Sequence, residues 1–280
     1  MAHTNSHTQP FLKWAGGKGQ LLDQYEVFFP THPMRDYYEP FVGSGAVFFR
    51  LRERGLFERY HLSDVNAELI TCFLAVRDHV DELITRLAEH RDQHDHDYYY
   101  RIRALDRQPD WANAPGVERA ARMIYLNKTC YNGLWRVNSK GQFNVPMGRY
   151  KNPDILNAER LRRASEALQG VEISVRNFED VQAGPGDFVY FDPPYHPLSQ
   201  TASFTSYSAD SFGPEDQRRL AEVFAALADK GCRVMLSNSD TEFVRELYQD
   251  FRIETVTARR AINSAGGKRG PVSEIVIRNN

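Results

Sequence analysis

The chain has 280 residues, 41 % of them hydrophobic and 12 % aromatic, enough for one large or two modest folded units with a sizeable core. No apolar run approaches the roughly 18 residues of a membrane span, and the polar, histidine-containing start over 1–10 lacks a signal-type apolar stretch, so a cytoplasmic protein is expected. A net charge of −2 excludes a uniformly basic nucleic-acid binder, and the widely spaced Cys72, Cys130 and Cys232 form no CxxC pair and read as reduced thiols.

The first predicted strand, 36–40, runs into Phe41-Val42-Gly43-Ser44-Gly45, where a helical pattern over 46–54 begins. Glycines between strand and helix let a ligand approach the backbone beside the helix N-terminus. The next predicted strand, 60–64, ends in Asp64, 21 residues after Gly43. A carboxylate there can accept bonds from both ribose hydroxyls; the alternative is a cap for the helix that follows. The full glycine set of a dinucleotide fingerprint is absent, as is a P-loop, so a small nucleoside-like cofactor fits better than NAD or ATP.

From 67 to 165 the alternation of strand and helix stops. Periodicity predicts one long helix over 69–91 and further helices over 94–106 and 117–127, followed by glycine- and asparagine-rich chain over 132–152. Between Val117 and Arg163 ten lysines and arginines meet three acids, a net +7 that leaves −9 on the remainder of the chain. Such segregation marks either a phosphate-facing surface or an ordinary solvated basic face. The stretch reads as an inserted, mainly helical subdomain, with 1–66 and 166–280 forming the other domain.

Alternation then returns, with helices over 158–168, 214–229 and 241–250 and strands over 172–178, 188–192 and 233–238. Two closing strands, 252–259 and 273–278, are joined through Gly266-Gly267. The whole is an α/β sheet ending in a hairpin.

Strand 188–192 stops in Asp192-Pro193-Pro194-Tyr195, which puts a carboxylate, a main-chain carbonyl, a stiff backbone and an aromatic ring at one point. That set suits a planar aromatic amine. Hydrogen bonds from an adenine N6 to Asp192 and to the Pro193 carbonyl would favour a pyramidal nitrogen and stabilise charge developing on it, with Tyr195 stacked on the base. The chemistry needs neither a covalent intermediate nor a metal.

The run Phe11-Leu12-Lys13-Trp14-Ala15-Gly16-Gly17-Lys18, then Glu39 to Gly45, then Asp192 to Tyr195, resembles the Dam-type DNA adenine-N6 methyltransferases of the α group. The likeness continues through Tyr131-Asn132-Gly133-Leu134-Trp135-Arg136-Val137-Asn138, Gly141 to Tyr150, Leu236 to Thr241 and Arg259 to Ile262, and covers nearly the whole chain. The resemblance implies a Rossmann-like methyltransferase sheet that takes S-adenosylmethionine. Trp14, Lys18, Asp64 and Asp192 match positions that bind it, with Phe41, Gly43 and Gly45 in the glycine turn. Phe178, at a predicted strand end, is a candidate to pack on the cofactor adenine.

By the same resemblance, residues 67–165 recognise the target in double-stranded DNA. Tyr131 wedges into the duplex, Asn132 contacts backbone, and Leu134 and Arg136 read bases, with Pro146, Arg149 and Tyr150 nearby. Arg136 would read a guanine through its O6 and N7. Lys13 matches a residue that touches the outer guanine. These matches favour a GATC site, an adenine flipped from the stack, and action as a monomer on the nucleoid. Trp135 and Val137 depart from the family's residue types.

His90, His94 and His96 have a metal-like spacing but read as a charged helix end. Cys130 reads as packing, since attack at an amino nitrogen needs no thiol. The serine- and threonine-rich stretch 198–207, with Phe204, reads as a loop able to close over a flipped base. Two other functions compete: amino methylation of RNA or of a protein glutamine, and DNA binding by a regulator without catalysis. Asp192 and the basic insert argue against the first, and the intact Trp14, Lys18, Asp64 and Asp192 against the second.

Overall fold

The computed structural model describes residues 8–198, 212–258 and 272–279. The strands are β1 (Met34–Glu39), β2 (Phe57–Asp64), β3 (Glu172–Val175), β4 (Phe188–Phe191), β5 (Arg233–Ser239), β6 (Arg252–Ala258) and β7 (Val272–Arg278). The chain forms two compact units, each assembled from three stretches: 1–17, 43–54 and 64–175, and 18–42, 55–63 and 176–280. The stretch 67–165 lies wholly in the first. That unit also takes in 1–17, 43–54, 64–66 and 166–175.

The first unit contains helices α1 (Ala46–Arg52), α2 (Ala67–Asp78), α3 (Val80–Asp92), α4 (His96–Arg103), α5 (Gly116–Thr129) and α6 (Ala158–Leu168). α2 and α5 are its centre. Leu69, Cys72, Phe73 and Val76 face Ala120, Ala121, Ile124 and Tyr125 in a fully buried layer, where each large apolar side chain contributes about 1.5–3 kcal/mol. The single long helix predicted over 69–91 is two helices. At His79 the backbone turns to φ −137, ψ 35, and the 79 amide still bonds the Ala75 carbonyl before α3 sets off. Neither glycine nor proline marks the break, so periodicity runs through it.

In the second unit the strands lie in the order β2-β1-β4-β5-β7-β6. β2, β1, β4 and β5 are parallel, and β7 runs antiparallel to both β5 and β6. β4 is apolar at every position because both of its faces are buried, as central parallel strands require. Helices α7 (Pro214–Asp229) and α8 (Glu242–Leu247) supply Leu220, Phe224, Leu227 and Val244 to the layer against Val189, Phe191, Val234 and Leu236.

Strand 172–178 was expected to end at Phe178, but β3 stops at Val175. Asn177 instead caps a short 3-10 turn, Phe178–Asp180, accepting from the Glu179 amide while Asp180 accepts from the Asn177 amide. The expected turn at Gly266-Gly267, Arg259 to Ile262 and most of the 198–207 loop, Phe204 included, lie outside the described residues.

Candidate functional site

β1 lies between β2 and β4, so the chain leaves the carboxyl ends of β1 and β4 in opposite directions along the sheet. Parallel sheets bind ligands at such a switch point. Asp192 directly follows β4 there. Its Oδ1 accepts from the Lys18 ammonium at 2.7 Å and from the Ser237 hydroxyl at 2.8 Å, and Ser237 also bonds the Tyr190 hydroxyl at 2.9 Å. Lys18 is 3 % exposed and Asp192 20 %. Among the described residues no hydrogen bond reaches Asp192 Oδ2 or the Pro193 carbonyl.

The rest of the tetrapeptide is held from the flanks. Buried Gln217 donates to the Pro194 carbonyl at 2.9 Å, and buried Asn238 accepts from the His196 amide at 3.1 Å while bonding Gln217. Tyr195 donates its hydroxyl to Glu274 on β7 at 2.8 Å, and Lys18 Nζ stands 4.5 Å above the Tyr195 ring. Burial, with the Asp192 charge behind it, raises the Tyr195 phenol well above its ordinary range, so it stays a donor. Burial also raises the Glu274 carboxyl, opposed by Lys18 and by the Tyr195 bond. After β1, Phe41 stacks on Phe178 at 5.5 Å, and Phe212 closes edge-on against both. Phe178 is thus a buried member of the core with its ring against Phe41.

In the first unit, Gly43 (φ 49) and Gly45 (φ 72) adopt left-handed backbone that a side chain would strain. A Cβ on Gly43 would stand 3.0 Å from Trp14 Cδ1, and one on Gly45 would stand 3.3 Å from the Phe49 and Phe73 rings. Asp64 Oδ2 accepts from the Gly43 amide at 3.4 Å and Oδ1 from the Asn66 amide at 3.0 Å. Asn66, not Asp64, caps α2, accepting from the Glu68 and Leu69 amides. Burial raises the Asp64 carboxyl, and the bonds from Asn66 and Gly43 oppose it. A close-approach glycine turn beside a carboxylate and an indole is a donor set that fits a nucleoside-like methyl donor.

The same unit carries the residues that the family resemblance assigns to target recognition. Tyr131 to Arg136 runs back along Phe143 to Gly148: the Tyr131 amide bonds the Pro146 carbonyl at 2.9 Å, and the Asn144 amide bonds the Arg136 carbonyl at 3.1 Å. Asn138 accepts from the Lys140 and Gln142 amides and tightens the turn between. Asn132 has φ 56, a positive value unique among described non-glycine residues. Tyr131, Leu134, Arg136, Pro146, Arg149, Tyr150 and Lys13 are all exposed, and Lys13 Nζ sits 4.6 Å over the Tyr150 ring. Arg136 Nε bonds Asn144 at 2.7 Å. The loop is anchored inward by Asp106, which accepts from the Phe143 amide and pairs with buried Arg122, and by Tyr99, which donates to the Val145 carbonyl.

A family model for the D12 class N6 adenine-specific DNA methyltransferases matches residues 14–262. This chain belongs to that class. It is 44 % identical to the Type II methyltransferase M.MjaIII of Methanocaldococcus jannaschii, over 97 % of this chain and 99 % of the relative. It is 43 % identical to the Type II methyltransferase M1.LlaDCHI of Lactococcus lactis subsp. cremoris, over 97 % and 95 %. It is 39 % identical to the DNA adenine methylase of Escherichia coli K12, over 95 % and 93 %. The protein is an adenine-specific DNA methyltransferase with a mixed α/β fold.

In this methyltransferase Lys18, Phe41, Phe178, Asp192, Pro193 and Tyr195 gather in one unit, and Trp14, Gly43, Gly45 and Asp64 gather in the other with the recognition residues. Sequence reasoning missed Ser237, Glu274, Asp106 and Asn127. Ser237 lies within the Leu236 to Thr241 motif, but the other three sit 79, 37 and 114 residues from Tyr195, Phe143 and Lys13, which they bond, and carry no local signal. Five of the ten cations counted over 117–163 are spent on acids: Arg119 on Glu68, Arg122 on Asp106, Arg160 on Asp154, Arg162 on Asp81 and Arg163 on Glu159. Exposed Arg136, Lys140, Arg149 and Lys151 make no ion pair among the described residues.

Cys130 is buried, with its thiol pushed up to about 11 by that burial, and its Sγ contacts the Leu134 carbonyl at 3.2 Å. His90 and His94 bond the hydroxyls of Tyr98 and Tyr125, and His96 lies by Asp97. No group of three or more metal-capable side chains occurs among the described residues.

Proposed function

We propose that this enzyme transfers a methyl group from S-adenosylmethionine to the N6 of an adenine flipped out of duplex DNA, at GATC sites, as a cytoplasmic monomer working on the nucleoid. One observation carries the reading. Lys18 and Ser237 occupy Asp192 Oδ1, while Oδ2 and the carbonyl of the next residue, Pro193, accept no hydrogen bond among the described residues. An adenine amino group has two N–H donors to match them. Bonding both draws the nitrogen out of conjugation and turns its lone pair away from the ring. Charge that builds on N6 then faces a carboxylate and a carbonyl dipole. Tyr195, fixed through Glu274, offers its ring to the base.

S-adenosylmethionine, when bound, supplies a methyl group on a sulfonium. By the family resemblance, Trp14, Lys18, Phe41, Gly43, Gly45, Asp64, Phe178 and Asp192 are the residues assigned to it. For the target, support comes from the exposed side chains of Lys13, Tyr131, Leu134, Arg136, Pro146, Arg149 and Tyr150 and from the left-handed Asn132 that sets the loop's turn.

The test is expression in a host without DNA methylation, followed by mapping of N6-methyladenine. Methylation confined to GATC is expected; methylation at another sequence would discard the target, and its absence from soluble protein would discard the activity. Asp192→Ala should abolish transfer while duplex affinity survives. 2-Aminopurine at the target position should brighten on binding, and an unchanged signal would argue against flipping.

A further inference from the structure

Asn127, near the end of α5, is fully buried, yet its carboxamide ties together two segments far apart in sequence. Its Oδ1 accepts from the Lys13 amide at 2.8 Å. Its Nδ2 donates to the Lys13 carbonyl at 2.7 Å and to the Gly133 carbonyl at 3.0 Å. Both N–H donors and the oxygen of the amide are therefore engaged. Lys13 is paired in both directions, as a strand neighbour would pair it, although it lies in no strand.

Gly133 completes the clasp. It has φ +65, and a Cβ there would stand 2.7 Å from Lys13 Cδ, 3.0 Å from Lys13 Cβ and 3.2 Å from the Asn127 carbonyl oxygen. The Lys13 stem thus runs directly against loop backbone before its ammonium reaches the Tyr150 ring.

We propose that Asn127 is a positioning residue for target specificity: it locks the backbone of Lys13 to the Tyr131–Arg136 loop, so that two separate base-reading elements meet DNA in one register. A lysine ammonium ends four flexible bonds, so it is placed no better than the backbone that carries it. Apolar contact alone would hold Lys13 without direction, whereas two hydrogen bonds to one rigid amide fix both its position and its angle, and the third ties that amide to Gly133. Being buried, Asn127 acts only through Lys13 and the loop. The proposal rests on the reading of Lys13 as the contact to the outer guanine.

The experiment compares kcat/KM on GATC duplexes with that on duplexes whose outer G·C pair is replaced, for wild type, Lys13→Ala, Asn127→Ser and the double variant. Asn127→Ser is expected to cut discrimination at the outer pair about tenfold, as Lys13→Ala does, while the double variant loses no more than Lys13→Ala alone. Simple destabilisation would not confine a loss to one base pair. Lys13→Ala with unchanged discrimination would overturn the base contact itself. A loss in Lys13→Ala but none in Asn127→Ser, or additive losses in the double variant, would overturn the clasp. Should Asn127→Ser fail to fold, Gly133→Ala, which pushes on the Lys13 stem with the amide intact, must show the same loss and the same non-additivity with Lys13→Ala.

Discussion

Lys18 donates to Asp192 Oδ1 at 2.7 Å from a position 3 % exposed, which on the proposed function leaves Oδ2 for a substrate amine. Breaking a buried pair by removing one partner costs about 3–5 kcal/mol, and less where one member keeps some solvent as Asp192 does. Lys18→Met should lower single-turnover methyl transfer about 100-fold, because Asp192 is then aimed by Ser237 alone. The urea midpoint should fall as well. Wild-type transfer by a folded variant would show that Ser237 suffices.

Gly43 illustrates a different constraint, since its left-handed backbone and the Trp14 ring both exclude a side chain. Gly43→Ala should cost about 1–2 kcal/mol of stability and weaken S-adenosylmethionine binding in calorimetric titration. Undiminished cofactor affinity would move the donor site away from this turn.

His90 gives the first unit a dependence on acid. Burial lowers its pKa from 6.5 to about 4, and it is hydrogen-bonded to Tyr98 at 2.6 Å. The unfolded chain takes up a proton below 6.5 that the folded chain refuses until about 4. The associated stability is therefore whole above 6.5 and is lost as pH falls through that window. Partial exposure reduces its size, so urea unfolding should show wild type losing about 1 kcal/mol more than His90→Gln between pH 7.5 and 5. Parallel losses would place the acid sensitivity elsewhere.

The ion pairs divide the basic segment into two kinds of cation. Lys140→Ala or Arg149→Ala should each weaken DNA binding on every sequence and reduce the salt slope by about 1. Arg162→Ala, whose guanidinium is held by Asp81 at 2.8 Å, should leave the slope unchanged. Arg136→Ala should relax discrimination at one guanine by about 1–3 kcal/mol. A salt slope that responded equally to Arg162 and Lys140 would mean that the pairs open on DNA.

Local chemistry is what the sequence makes legible. The strand ends that carry Asp64 and Asp192 fall where alternation and turn residues put them, and the glycines after β1 lie between strand and helix as expected, with the structure adding their positive φ. The break at His79 leaves no mark because an ordinary residue makes it. Net charge over 117–163 suggested more free cations than there are, since Glu68, Asp81 and Asp106 neutralise three of its arginines from earlier in the chain. Asn127 reads as a helix-interior amide, and only the fold discloses that Lys13, 114 residues away, supplies its partners. Phe178 shows the reverse, a position picked out by its strand end that spends its ring on Phe41.

The polypeptide passes between its two units at 17–18, 42–43, 54–55, 63–64 and 175–176. The unit that holds 131–150 therefore has no single pair of cut points. A cut at 42–43, 54–55 or 63–64 leaves neither unit whole in either fragment. On the proposed function, new site preferences in such an architecture come by substitution in place, at exposed positions such as Leu134 and Arg136, under a scaffold that stays whole.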